Sequence, residues 1–203
     1  NPIIVDGDTG FGGLANVYKT VKDLEQVGAS AVILEDQEFP KRCALTKKIK
    51  LLDLKNSEKR IKTAVKAAKE SNNILIFART DALSAGSLKE AIKRAKSFRK
   101  LGADAIFITG INTLEEIKLI KRNLKSIPLI INITQDIKFD LVDIKKNDFK
   151  FILYSQQLLN SYIDTTNATL KLIKNNKNPK FKNKASDTLA LLNFKKYLAI
   201  EEN

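Results

Sequence analysis

Six short runs rich in β-branched and aromatic residues punctuate the chain, and they limit its fold more than any other feature. They read PIIVD from residue 2, AVILED from 31, NILIFART from 73, DAIFITG from 104, PLIINIT from 128 and FKFILYS from 149. Each has the length of a strand, and none alternates cleanly between apolar and polar, so both faces are expected to be buried. Between most of them lie helical segments: LANVYKTVKDLEQVG, SEKRIKTAVKAAKES, SLKEAIKRAKSFRKLG and TLEEIKLIKRNLKS. In the third, Leu88, Ala91, Ile92, Ala95, Phe98 and Leu101 recur at helical spacing, with the lysines and arginines assigned to the opposite face. Ser87 and Thr113 stand where N-caps belong, and Gly28 and Gly102 where helices stop. Strand alternating with helix predicts an α/β fold with a parallel sheet and helices packed outside it.

Two architectures satisfy that pattern, an open doubly wound sheet and a (β/α)8 barrel. Every apolar run ends in polar groups: Asp6 and Asp8; Glu35, Asp36 and Gln37; Arg79 and Asp81; Thr109; Asn132 and Thr134; Ser155. A doubly wound sheet concentrates its site at one switch point, whereas a barrel gathers all its C-terminal strand ends at one mouth. The polar ends therefore favour a TIM-type barrel. Six strands do not close one, and the chain starts at NPIIV with no methionine anywhere. The expectation is a partial barrel over residues 1–172, holding the third to eighth strands and lacking roughly the first two strand–helix units. Residues 173–203 are expected to be a basic linker and a C-terminal helix, TLALLNFKKYLAIEE, that packs on the barrel or on a partner subunit.

Composition removes several function classes. Histidine is absent, which excludes a histidine base, a His-based triad and His-ligated zinc. The one cysteine excludes an internal disulfide framework and fits a reducing, cytoplasmic setting. The net charge of +13 comes from lysines spread along helices without interleaved aromatics, so no nucleic-acid partner is expected. No apolar run approaches the roughly 20 residues that span a bilayer, and no membrane partner is expected either.

The stretch VDGDTGFGG admits more than one chemistry. Gly10, Gly12 and Ala15 fit a G-x-G-x-x-A turn between strand and helix, and Glu35 or Asp36 ends the next strand, as a dinucleotide site requires. Against this, Asp6 and Asp8 would repel a pyrophosphate, and nothing in the turn is basic. With Mg²⁺ or Mn²⁺ the pair becomes useful, because such hard cations take carboxylate oxygens and water; Glu35 would complete the acids. Simple helix capping accounts for Asp8 but not for all three.

Further along, Cys43 lies among Lys41, Arg42, Lys47 and Lys48, where positive charge favours a thiolate nucleophile or acid/base; a small buried hydrophobe is the equal alternative. Arg79 offers a cation that can grip a carboxylate or stabilise a developing enolate, or else an internal ion pair with Asp81 or Glu35. Asn132 and Thr134 offer neutral donors to a carboxylate.

Taken together, VDGDTGFGG, NVYKTVKDLEQVGASAVILEDQEFPKRC, ARTDALSAGSLKEAIKRAKSFRKLGADAIF and IINIT resemble the isocitrate lyase / phosphoenolpyruvate mutase superfamily, nearest to its 2-methylisocitrate lyase-like members. The resemblance runs from residue 2 to about 160. It implies a (β/α)8 barrel, commonly a homotetramer, with a Mg²⁺ or Mn²⁺ site that stabilises the enolate of an oxo-acid. It also implies roles: Asp6 as direct metal ligand, Asp8 and Glu35 as holders of its waters, Arg79 on the oxo-acid or enolate, and Gly10, Asn132 and Thr134 on the substrate. Cys43 resembles the cysteine that exchanges a proton with the enolate of the departing acid. Departures are Ala44 and Leu45, where the lyases read K-R-C-G-H, and Thr109, where lyases carry glutamate and mutases histidine. The implied activity is a carbon–carbon lyase acting on a 2-methylisocitrate or 2-alkylmalate type of small carboxylic acid. Phosphonopyruvate chemistry, by a mutase or a C–P hydrolase, is the first alternative, and a catalytically impaired metabolite-binding barrel the second.

Overall fold

A computed structural model describes residues 1–43, 48–134 and 137–201. In chain order the elements are β1 (Ile4–Asp6), α1 (Leu14–Gln26), β2 (Ala31–Glu35), α2 (Leu54–Lys69), β3 (Leu75–Thr80), α3 (Leu88–Lys100) and β4 (Ala105–Ile108). There follow α4 (Leu114–Asn123), β5 (Leu129–Asn132), α5 (Leu141–Lys146), β6 (Phe151–Leu153), α6 (Gln157–Lys174), α7 (Ala185–Leu191) and α8 (Phe194–Glu201). All six expected strands form, and they pair in parallel in sequential order, β1 to β6. A sequential order contains no reversal and hence no switch-point crevice, so the dinucleotide reading of the glycine turn fails on topology.

Period-two alternation sorts each strand into two faces. Val32, Leu34, Ile76, Ala78, Ile106, Ile108, Leu129 and Ile131 point to the helices and share one core with Val17, Val21, Ile61, Ala91, Ala95, Phe98, Ile117 and Ile120. Ala31, Ile33, Phe77, Ala105, Phe107 and Ile130 point the other way and form a second, smaller cluster with Phe151 and Leu153 packed on it. Phe98 is fully buried where α3 meets the sheet, so truncating it to Ala removes about 3–5 kcal/mol.

The helices start where side chains satisfy their first N–H groups. Ser87 accepts from the Glu90 N–H, and Thr113 forms a capping box with Glu116. Gly28 and Gly102 adopt positive φ just past α1 and α3. Three local expectations are corrected. Helix α2 begins at Leu54 rather than Ser57, because Asp53 caps it through the Asn56 N–H. Arg94, assigned to the solvent face of α3, is 5% exposed. The expected single terminal helix is two, α7 and α8, separated at Asn193, which has φ of 55°. Helices α5 and α6 were not expected at all.

The chain forms two compact units, Asn1–Ser155 and Gln156–Asn203. The first holds the whole sheet with α1–α5, and the second holds α6–α8. Among the described residues no helix is long and apolar enough to cross a membrane.

Candidate active site

The inner face of the sheet carries its polar residues at one end. On β2, Ala31 and Ile33 belong to the inner cluster, so Glu35 continues that row; on β3, Phe77 is followed by Arg79 and Asp81. By the same parity Thr109 follows Phe107, Asn132 follows Ile130, and Ser155 follows Leu153. Asp6 pairs with Ile33 in register, and Glu35 with Arg79. Because the strands are parallel, all these positions lie at C-terminal strand ends on one side of the sheet.

Arg79 is the hub. Its Nε donates to Asp81 Oδ1 at 2.8 Å and its Nη2 to Asp81 Oδ2 at 3.1 Å, a bidentate pair that fixes the guanidinium plane. Its Nη1 lies 3.2 Å from Glu35 Oε2 and 3.9 Å from Asp6 Oδ2, and the guanidinium carbon sits 5.6 Å from the centre of the Phe107 ring. Burial alone would ease its proton off, but the bond to Asp81 and the charges of Asp81, Glu35 and Asp6 hold its pKa above the usual arginine value. Asp81 is buried too, yet Arg79, Thr109 and Gln37 together pull its pKa below the ordinary carboxylate range. Thr109 Oγ donates to Asp81 Oδ1 at 2.6 Å. Gln37 donates its side-chain amide to Asp81 Oδ2 and accepts from the Arg42 N–H at 3.0 Å, which ties the loop after β2 to this pair.

Glu35 is the anomaly. Its side chain is 0% exposed, and neither carboxylate oxygen accepts a hydrogen bond. Burial raises its pKa from 4.5 to about 7; Arg79 and Lys41 oppose the shift, and Asp81 and Asp6 add to it. Lys41 reaches across from the loop, bonding Asp8 Oδ1 and standing 3.6 Å from Glu35 Oε2. Burial would lower the Lys41 pKa, but Asp8, Glu35 and Asp6 more than offset it and the net direction is upward.

The turn that presents the aspartates depends on close backbone packing. A Cβ on Gly7 would lie 2.7 Å from Val32 Cγ2 and 3.1 Å from the Ile33 carbonyl oxygen, so only glycine lets β1 continue so near β2. Gly10 has φ of +81°, and a Cβ there would lie 2.5 Å from Val17 Cγ2.

The structure thus brings Asp6, Asp8, Glu35 and Arg79 into one ion-pair cluster, joined by Lys41 and Asp81. Asn132 lies in the inner row, its Oδ1 accepting from Ser155 Oγ at 3.0 Å, and Thr134 is half-buried two residues beyond. Cys43 is exposed on the loop two residues after Lys41. Ala44, Leu45 and Lys47 lie outside the described residues. Asp36 is corrected: it sits on the helix side of the sheet, accepting from Thr80 Oγ at 2.6 Å and the Asp81 N–H at 3.0 Å and pairing with Arg94 Nη1 at 3.0 Å. Arg60 braces the same strand end by donating to the Glu35 and Gln37 carbonyls, both at 2.7 Å. Sequence reasoning placed Lys41 beside the thiol rather than on the acids, because its partners lie on another strand.

Among the described residues no three acidic or thiol side chains stand as a preformed chelate. The donor chemistry still fits a hard divalent cation. The acids supply oxygens only, and the buried Glu35 carboxylate, with no hydrogen-bond donor, is the kind of group that a cation or its bound water satisfies.

Comparison with known proteins gives the lineage. The profile of the phosphoenolpyruvate phosphomutase family matches residues 1–174. The 2-methylisocitrate lyase of Aeropyrum pernix is 40% identical over 134 residues, 66% of this chain and 42% of its own length. That of Halalkalibacterium halodurans is 35% identical over 156 residues, 75% of this chain and 51% of its own. The chain therefore spans about half the length of the relatives it matches. The crystal structure of phosphoenolpyruvate phosphomutase from Streptomyces platensis subsp. rosaceus superposes with a TM-score of 0.90 at 24% identity, covering 99% of this chain and 72% of that one. At that identity the likeness speaks for the fold, and the six parallel strands are a partial TIM-type barrel.

Proposed function

The chain belongs to the phosphoenolpyruvate phosphomutase family, and from that premise we propose that it carries the site of a divalent-cation-dependent carbon–carbon lyase. The substrate class is a 2-methylisocitrate or 2-alkylmalate type of acid, and the product pyruvate or glyoxylate. In this reading the six strands are the third to eighth of a (β/α)8 barrel. Asp6, Asp8 and Glu35 would hold Mg²⁺ or Mn²⁺, which when bound acts as a Lewis acid on the substrate oxygen that becomes a carbonyl.

The chain's own groups supply the rest. Cleavage breaks the bond between the carbinol carbon and the departing acid; the hydroxyl gives its proton to water and its oxygen becomes the carbonyl oxygen of the 2-oxo acid. The electron pair passes to the α-carbon of the departing acid, which takes a proton from Cys43. Arg79, held by Asp81 so that Nη1 faces Glu35 and Asp6, places fixed positive charge where the substrate oxygens develop negative charge. Asn132, with its Oδ1 engaged by Ser155, has its amide N–H groups to offer a substrate carboxylate, and Thr134 and the Gly10 turn line the same end.

The observation that carries this reading is Glu35, a buried carboxylate with no hydrogen-bond partner set between the fixed guanidinium of Arg79 and the ammonium of Lys41. The test offers the intact protein 2-methylisocitrate, other 2-alkylmalates, oxaloacetate and phosphonopyruvate with Mg²⁺, and follows pyruvate and glyoxylate release with and without Cys43→Ser. Turnover of an alkylmalate-type acid that depends on Cys43 is expected. Turnover of phosphonopyruvate alone transfers the site to C–P chemistry, and no turnover with no Mg²⁺ bound removes the enzymatic reading.

A further inference from the structure

Lys41 differs from Arg79 although both are cations of the same cluster. Arg79 is locked by two hydrogen bonds to Asp81 and is 13% exposed. Lys41 is 31% exposed, makes one hydrogen bond, to Asp8, and reaches Glu35 only at 3.6 Å. Its loop has a separate anchor, since the Arg42 N–H is held by Gln37, so Lys41 can leave without unravelling the stem. Charge balance shows what it is opposing: among the described residues, Asp6, Asp8, Glu35 and Asp81 pair with Lys41 and Arg79 alone. The cluster is short of positive charge even with the lysine in place.

We propose that Lys41 is a displaceable internal counter-ion: its ammonium sits against Asp8 and Glu35, two of the three acids that would hold a divalent cation, so that lysine and ion compete for them. This rests on the reading of Asp6, Asp8 and Glu35 as cation-holding acids. Two cations cannot share those oxygens, because the ammonium and the ion repel at contact distance and the acids' lone pairs are the common resource. Cation binding therefore expels Lys41 and frees the ammonium end of the loop that leads to Cys43. Exchange of this kind makes cation occupancy and loop position one equilibrium, and the cation's apparent affinity is reduced by the fraction of molecules in which Lys41 holds the site.

The experiment titrates Mn²⁺ into the intact protein, its Lys41→Gln variant and its Asp6→Asn variant, following bound ion by calorimetry and by the electron paramagnetic resonance of free Mn²⁺. Lys41→Gln is expected to bind at least about tenfold more tightly than wild type, and Asp6→Asn far more weakly. In parallel, wild-type protein is treated with a trace of acetic anhydride with and without Mg²⁺, and acetylation of Lys41 is compared by mass spectrometry with that of Lys48 and Lys50. Mg²⁺ should raise labelling of Lys41 several-fold relative to those two. Equal or weaker Mn²⁺ binding by Lys41→Gln, or labelling of Lys41 unchanged by Mg²⁺, overturns the counter-ion role while leaving the cation site standing. Mn²⁺ binding that ignores Asp6→Asn, or no binding by any of the proteins, overturns the site and the counter-ion together.

Discussion

Replacing Glu35 by Gln keeps the shape of the side chain and removes its ionisation. Glu35 is fully buried without a hydrogen-bond donor on either oxygen, and burial moves its pKa from 4.5 to about 7. A raised folded-state pKa means that the folded protein binds this proton more tightly than the unfolded chain does. The contribution of Glu35 to stability is therefore fully present below about pH 4.5 and is lost as the pH rises through 7. The gap between 4.5 and about 7, at about 1.36 kcal/mol per unit, corresponds to a loss of about 3 kcal/mol. Other carboxylates also titrate: burial raises Asp36, which adds a slope of the same sign, and Asp81 is lowered, which acts only as the pH falls below the ordinary carboxylate range. Both remain in the variant, so the difference between the two proteins isolates Glu35. The assay is urea unfolding followed by circular dichroism from pH 4.5 to 8 in EDTA. Expected is a variant that gains about 3 kcal/mol on wild type across that span. Parallel curves would refute the claim that burial without a hydrogen-bond donor raises the Glu35 pKa. If Glu35 belongs to the proposed cation site, saturating Mg²⁺ should shrink the wild-type loss, because an ion held there would favour the charged carboxylate.

Asp36→Asn removes one of the two carboxylates paired with the buried Arg94, leaving Glu90, and weakens the bonds from Thr80 and the Asp81 N–H; it should cost about 1–2 kcal/mol in urea unfolding, more than a surface acid would. Thr113→Ala removes the capping box at the start of α4 and should cost about 1 kcal/mol, read as a lowered thermal midpoint. Arg79→Lys keeps a cation but cannot span both oxygens of Asp81. It should reduce kcat by about two orders of magnitude on whichever acid is turned over, with a smaller change in KM.

How much of this was legible in the sequence follows from how local each cause is. Strand length and run composition are local, so all six strands were readable, and parallel polarity then put Asp6, Glu35, Arg79 and Asn132 at one end. Helix α5 has only six residues, and α6 is diluted with Asn, Thr and Ser, so neither carried a clear helical signal. Parity was not readable on β2, where Ala31 to Leu34 are all apolar and nothing distinguishes the face of Glu35 from that of Asp36. Nor was the fate of Arg94, since helical periodicity alone treats a charge as solvent-facing while its partner, Asp36, lies 58 residues away. Register with the neighbouring elements decides both. Glu35 meets Arg79 on the inner face and Asp36 meets Arg94 on the outer, so each acid has an arginine waiting on its own side. A one-residue slip of β2 would reverse every side chain, putting Asp36 on the inner face with Arg79 and Glu35 on the helix side with Arg94. The two neighbouring acids therefore differ in role because of the face each one occupies, and that face is fixed by pairing with β1 and β3 rather than by anything in β2 itself.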